Sequence, residues 1–171
     1  MTPQEFETLI RVWDREAAAT VKLLEALPRD QYDFRPDPGG RSIGEMAWHL
    51  AEGDAYNSLG VAEGGFSPTM RPPGMERPKQ VEALAPGFAR IHRDAVERVR
   101  NLQPASLERP LAFYTGEMMS GAEILWGTVF HLVHHRGQLS LMCRLAGGVS
   151  PGIYGPNREE MAAMVAAEKA M

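Results

Sequence analysis

A chain of 171 residues with 44% hydrophobic residues can close one core without disulfide or metal staples, and a single domain over 1–171 is expected. Its net charge of −4, without a long basic run, argues against a nucleic-acid partner, and the lone Cys143 excludes an intrachain disulfide and any cysteine-based zinc motif. No stretch reaches bilayer-spanning length and the N-terminus opens acidic, so the expectation is a cytoplasmic protein with no membrane contact.

Thr2, Pro3 and Glu5 combine an N-cap, a proline at the first helical position and a capping-box acid. Phe6, Leu9, Ile10, Trp13, Ala17, Val21, Leu24 and Leu27 then form one apolar face, which predicts a helix over 3–27 ending before Pro28. Residues 28–41 are turn formers, with Tyr32 and Phe34 placed as a lid on one end of the core. Ser42 and Glu45 repeat the capping box, and a second helix follows from Ile43 to about Val61. Its inner face carries Ile43, Met46, Ala47, Leu50 and Tyr56, with His49 at the edge. A Gly- and Pro-rich loop runs on to Arg77.

A third helix is expected from near Pro78 through Val81, Leu84, Phe88, Ile91, Ala95, Val99 and Leu102. Pro86-Gly87 either kinks it or marks the handover from a short helix to a longer one, because Pro86 has no amide to donate. The run LAFYTGE in the 103–117 linker is extended but alone, and one such run does not make a sheet. Ser120 and Glu123 open a fourth helix over 121–146, stopped by Gly147-Gly148. After VSPGIYGP, Asn157 and Glu160 start a short Ala- and Met-rich helix. The sum is an all-α antiparallel four-helix bundle with a short extra C-terminal helix.

Three of the five histidines lie on the fourth helix. Ile124, Thr128, Leu132, Leu139 and Met142 recur there at helical spacing, with His131 and His135 in the line between them. Ionisable groups on a buried stripe need a reason. One turn apart, with Cβ atoms ~6 Å from each other, the two imidazoles can converge on one ion at ~2.0 to 2.1 Å. His49, on a second capped helix, can supply a third nitrogen, and three ligands leave a position open to water or substrate. Each has a plainer reading, since a core histidine bonded to a carbonyl is common and an i,i+4 pair also arises by chance. His134 lies ~100 degrees round the helix and reads as surface or interface; His92 has no histidine neighbour at helical spacing and reads as a non-ligand. Cys143 reads as a small core residue, and Met118, Met119, Met142, Met161 and Met164 as packing.

Glu52, one turn past His49, and Glu123, two turns before His131, are candidates to orient an imidazole or accept a proton, although Glu123 already serves its capping box. Arg136 and Gln138 could anchor a carboxylate or fix the helix to a neighbour. Gly137 in mid-helix costs ~1 kcal/mol relative to Ala, which suggests close approach of another helix, within the chain or across a homodimer.

Given SIGEMAWHL around His49, HLVHHRGQL with His131 and His135, and GGVSPGIYGP after the last bundle helix, the sequence resembles the DinB-like family of helical bundles related to bacillithiol and mycothiol transferases. The resemblance covers nearly the whole chain and rests on the ordered trio with HRGQ. It implies a four-helix bundle, the family's metal triad at His49, His131 and His135, a divalent ion that is most often zinc or nickel, and frequent homodimers. It also implies a low-molecular-weight thiol as a co-substrate in some relatives. The function expected is a thiol-dependent transferase or metal-assisted hydrolase acting on a small electrophilic molecule, the ion lowering the pKa of a thiol or water for attack. The alternative is a non-catalytic metal-binding protein, structural or stress-related, in which the ion fixes the helices. A third reading is a protein-interaction module with a vestigial site. An open ligand position on a pocket favours the first reading; a fourth protein ligand or no cavity favours the second.

Overall fold

Where each helix begins is decided by a side chain that satisfies its otherwise orphaned amides. The computed structural model describes residues 1–170. Complete capping boxes start α1 (Pro3–Glu25) at Thr2 and Glu5, α2 (Ile43–Glu63) at Ser42 and Glu45, α4 (Gly121–Leu145) at Ser120 and Glu123, and α5 (Arg158–Lys169) at Asn157 and Glu160. The exception is α3 (Leu84–Arg100), which has no side-chain cap and continues from a 3-10 turn at Val81–Ala83. Pro86 falls in its first turn, where the missing amide has no helical partner to lose. The short 3-10 turn therefore hands over to α3 at Ala83–Leu84, just ahead of Pro86-Gly87, and the helix expected from near Pro78 begins only there.

The extended run does not stand alone. β1 (Pro110–Ala112) pairs antiparallel with β2 (Met118–Ser120), with Leu111 opposite Met119. Gly116, at φ +87, turns the chain, and Phe113 N donates to Glu117 O at 2.8 Å. Buried Leu111 anchors this small hairpin. Its second strand is hidden in the sequence because it runs straight into the cap of α4.

Pairs across the bundle give its topology. His49 with His131, and Asn57 with Thr128, set α2 and α4 antiparallel, and Glu7 with Arg100 and Asp14 with His92 set α1 and α3 antiparallel. Asp54 with His92 and Ser58 with Arg98 run α2 parallel to α3, while Glu16 with Arg136 and Ala26 with Cys143 run α1 parallel to α4. Each helix thus has one antiparallel and one parallel neighbour, an up-down-down-up order. The parallel α2–α3 step requires a return along the 21-residue length of α2, about 30 Å at helical rise. The Gly- and Pro-rich residues 64–80 make that return.

Trp13, Trp48, Phe88, Leu9, Leu50 and Leu84 fill the centre, and Tyr32 and Phe34 pack against it as the expected lid. The Tyr32 hydroxyl donates to the Pro78 carbonyl. Of the methionines expected to pack, Met142 is buried and Met119 lies against the core, but Met118, Met161 and Met164 are exposed. Helix α5 buries no residue and is tied down by Arg144, which donates to Glu159 at 2.7 Å. Nothing lies within 4 Å of where a Cβ on Gly137 would sit, so the close approach within the chain expected there is absent. Among the described residues, no helix is long and apolar enough to cross a membrane.

Candidate metal centre

The antiparallel α2–α4 pair brings His49, His131 and His135 together. One ring nitrogen of each lies within 4.8 Å of the others, and the Nε2 atoms of His49 and His131 are 3.0 Å apart. Nitrogens 2.0 to 2.1 Å from a tetrahedral ion stand about 3.3 Å from each other, so this spacing suits a shared ion. The rings sit at the margin of the stripe and not in its line: Ile124, Thr128, Leu132, Leu139 and Met142 are buried, whereas the three histidines are half-buried. His134 is exposed and stands outside the group.

The far nitrogens are engaged. His135 Nδ1 is 2.6 Å from Gln138 Oε1, and His49 Nδ1 is 3.4 Å from Glu52 Oε2. An N–H donated to each oxygen leaves the Nε2 lone pair free, the usual way a protein selects the tautomer of a ligating imidazole. Burial, followed by the neighbouring histidines and Arg41, pushes His131 down to about 4. Burial also lowers His135. Glu52 stays below the usual carboxylate range because its hydrogen bond to His49 outweighs partial burial. At neutral pH His131 and His135 are therefore neutral imidazoles beside the ionised Glu52 carboxylate, the protonation states a metal needs of them.

Gly53 makes room for this arrangement. A Cβ there would lie 2.9 Å from Nδ1 and 3.0 Å from Cε1 of His131, so the ring occupies the space that any other residue would fill. The sequence carried the signal, a glycine in mid-helix one turn from His49, but it was read at Gly137 instead.

Glu123 takes no part in this cluster. Its Oε2 accepts from Ser120 N at 2.7 Å and from Ser120 Oγ at 2.8 Å. Two turns of α4 place it ~12 Å along the axis from His131. It lines a cavity of about 1240 Å³ between the first turns of α1 and α4, which none of the three histidines reaches. His49 and His131 open instead on a smaller cavity of about 330 Å³, with Glu52, Gly53, Tyr56, Asn57 and Tyr114 around it, while His135 stands behind them off its wall.

Two polar networks brace the helices that carry the site. Arg136 donates to Glu16 Oε2 and to the Glu16 carbonyl, each at 2.7 Å, with both side chains 3% exposed. The Tyr154 hydroxyl donates to the same carboxylate, and its ring lies 5.3 Å from the guanidinium. Burial alone would raise Glu16; Tyr154, Arg136 and Arg15 outweigh it and hold the carboxyl below its ordinary value. On the opposite side, His92 is buried between carboxylates, with Nδ1 2.8 Å from Asp54 and Nε2 3.0 Å from Asp14, while Trp13 Nε1 donates to Asp54 at 3.1 Å. Burial pushes His92 down, but Asp54 and then Asp14 outweigh it and raise it above its ordinary value. Nothing in the residue pattern announces this cluster beyond an acid at Asp54, one turn past the buried Leu50 on α2.

The DinB family model matches residues 1–170. Over 161 residues the chain is 26% identical to the uncharacterized protein YrdA of Bacillus subtilis (strain 168), covering 93% of each. Among solved structures it is similar to a DinB-like protein from Bacillus cereus ATCC 10987, with TM-score 0.72 and 25% identity over 86% of this chain and 97% of that one. YfiT from Bacillus subtilis, described as a probable metal-dependent hydrolase with an unusual four-helix bundle topology, has TM-score 0.66 and 17% identity over 86% and 90%. The mycothiol-dependent maleylpyruvate isomerase has TM-score 0.59 and 14% identity over 88% of this chain and 65% of its own. At those identities the last two show the fold alone. The match over almost every residue, on a bundle that gathers three histidines into one group, makes the chain a member of the DinB family.

Proposed function

We propose that the protein binds one divalent ion, zinc or nickel, on His49, His131 and His135, and works as a thiol-dependent transferase or metal-assisted hydrolase on a small electrophile. The observation that carries this reading is the gathering of three ring nitrogens within 4.8 Å, two of the rings on a cavity wall, with no fourth His, Cys, Asp or Glu joining them among the described residues. A divalent ion there supplies Lewis acidity, which lowers the pKa of a thiol or water that reaches it. The chain does the rest. Gln138 and Glu52 orient the His135 and His49 rings through their Nδ1 atoms. Glu52 lies at the cavity rim as a carboxylate with a second oxygen free to take a proton. The metal-dependent hydrolysis attributed to YfiT and the mycothiol dependence of the isomerase support this class of chemistry. The absence of a fourth ligand in the group, and the cavity beside it, favour this reading over a purely structural ion.

Metal stoichiometry by inductively coupled plasma spectrometry is the test. Wild type reconstituted with zinc or nickel and desalted should hold about one ion per chain, and Ala at His49, His131 or His135 should largely empty the site. His92→Ala and His134→Ala should retain it. An ion at 100 times its Kd adds about 2.7 kcal/mol, so chelation should lower the wild-type Tm and leave that of His135→Ala nearly unchanged. Full retention in the His49 variant would remove that residue and the catalytic reading with it.

Gly53→Ala separates the metal from the fold. Alanine relieves a helix cost of up to ~1 kcal/mol, yet its methyl group must displace the His131 ring. Chelator-treated protein should be as stable as wild type or more so, while zinc affinity falls about tenfold. Unchanged affinity in a competitive chelator titration would show that the ring's place over Gly53 is immaterial.

A further inference from the structure

Aromatic rings wall the small cavity beside the histidines. Tyr56 of α2, Phe66 from the 64–80 connection, and Phe113 and Tyr114 from the hairpin turn close a circuit of contacts. Their centroids are 5.3 Å apart for Tyr56–Phe66, 5.0 Å for Phe66–Phe113, 4.2 Å for Phe113–Tyr114 and 6.3 Å for Tyr114–Tyr56. The circuit is braced from behind. Phe66 lies so close to α2 that a Cβ on Gly60 would fall 2.3 Å from its ring, and both Phe66 and Phe113 pack against the core. Tyr56 and Tyr114 alone among the four face the cavity, and Tyr114 is 66% exposed. A large ring held in place by its neighbours, yet left open to solvent at a cavity mouth, offers a ligand a preorganised aromatic surface.

The cavity's size and lining narrow what would use that surface. About 330 Å³ is at the small end of ligand sites, room for a single ring on a short reactive arm. Lysine and arginine are absent from its lining, whose one charged side chain is the Glu52 carboxylate. An anionic tail finds no lysine or arginine on the wall to pair with, and a flat apolar one needs none.

We propose that the reactant taken up here is an arene: a small molecule whose reacting atom meets the three histidines and their ion, and whose aromatic end packs edge-to-face on Tyr56 and Tyr114. This rests on the metal centre proposed above and names the reactant class for it. Tyr56 and Tyr114 are then specificity residues, acting on affinity for the ring and not on the metal.

The probes are two thiols of similar size, benzyl mercaptan and cyclohexylmethanethiol, titrated into cobalt(II)-loaded protein and followed by the thiolate-to-cobalt charge-transfer band. Benzyl mercaptan should bind about fivefold more tightly, the size of one aromatic–aromatic contact. The preference should vanish in Tyr114→Ala and in Tyr56→Leu while the visible cobalt bands before thiol addition stay as in wild type. Because Tyr114 is exposed, its replacement leaves the core intact and keeps the test clean if the Tyr56 variant folds poorly. Equal dissociation constants for the two thiols in wild type, or a preference that survives both replacements, would overturn the inference and leave the metal centre standing. Cobalt bands with no charge-transfer band from either thiol would also overturn it. Failure to bind cobalt at all would remove the metal centre and this inference together.

Discussion

Replacing Arg136 with alanine should lower the free energy of unfolding by about 3 kcal/mol, a large share of the 5 to 15 kcal/mol typical of a domain. The loss comes less from the missing attraction than from what remains. The Glu16 carboxylate is 3% exposed and would keep only Tyr154 and the largely exposed Arg15 as donors. Glu16→Leu combined with Arg136→Met removes both charges at similar volume, and most of the lost stability should return. The sign of the pH dependence follows from the lowered Glu16 carboxyl: its contribution is present above the unfolded value near 4.5 and is lost as pH falls through the folded one. Urea unfolding midpoints at pH 7 and pH 4 measure both effects. A single variant within 1 kcal/mol of wild type, or a double variant no better than the single, would contradict this account of the pair.

His92→Leu should cost a similar amount, about 3 kcal/mol near pH 6, because it leaves Asp54 buried with Trp13 as its one remaining donor. Here the pH signature has the opposite sign. The His92 pKa is raised above its ordinary 6.5, so the stabilisation is full below that pH and fades as pH rises through the folded value. His131 and His135 are lowered, and from about one pH unit above the unfolded value of 6.5 they are neutral whether the chain is folded or not. They therefore do not obscure the His92 signal in that window. Wild type should lose stability between about pH 7.5 and 9 while His92→Leu stays nearly flat. Parallel slopes for the two proteins would show that His92 is not the charged centre of its cluster.

What could be read from the sequence was whatever a few adjacent residues decide. Four capping boxes placed four helix starts to the residue, because the cap and its acid lie three positions apart. The His131–His135 spacing and the capped helix under His49 pointed to the three residues that the fold brings together. Long-range choices were not legible. His92 meets Asp54 and Asp14 at separations of 38 and 78 residues, and nothing near any of the three announces the others. Helix order is of the same kind, since an apolar stripe says that a face is covered but not by which neighbour or in which direction. A mid-helix glycine carries similarly incomplete information: Gly53 and Gly137 look alike in sequence, and a ring lies against the first alone. Glu52 and Glu123 divide likewise, one turned to an imidazole and the other held at its cap.

Arg136 follows His135 directly, and consecutive helical side chains diverge by ~100 degrees. Any roll of α4 that spread the three histidines would pull the guanidinium off Glu16 and Tyr154, and any axial slide would carry the His131 ring off its place at Gly53. Bundle motions that open the centre must therefore break these contacts. Motion that keeps those contacts is confined to side-chain torsions, which run from picoseconds to microseconds and not on the slower scale of helix displacement. Ligand exchange at the cavity should accordingly be limited by diffusion and chemistry, with no conformational step in between, and its observed rate should rise linearly with ligand concentration without a plateau from slow helix motion.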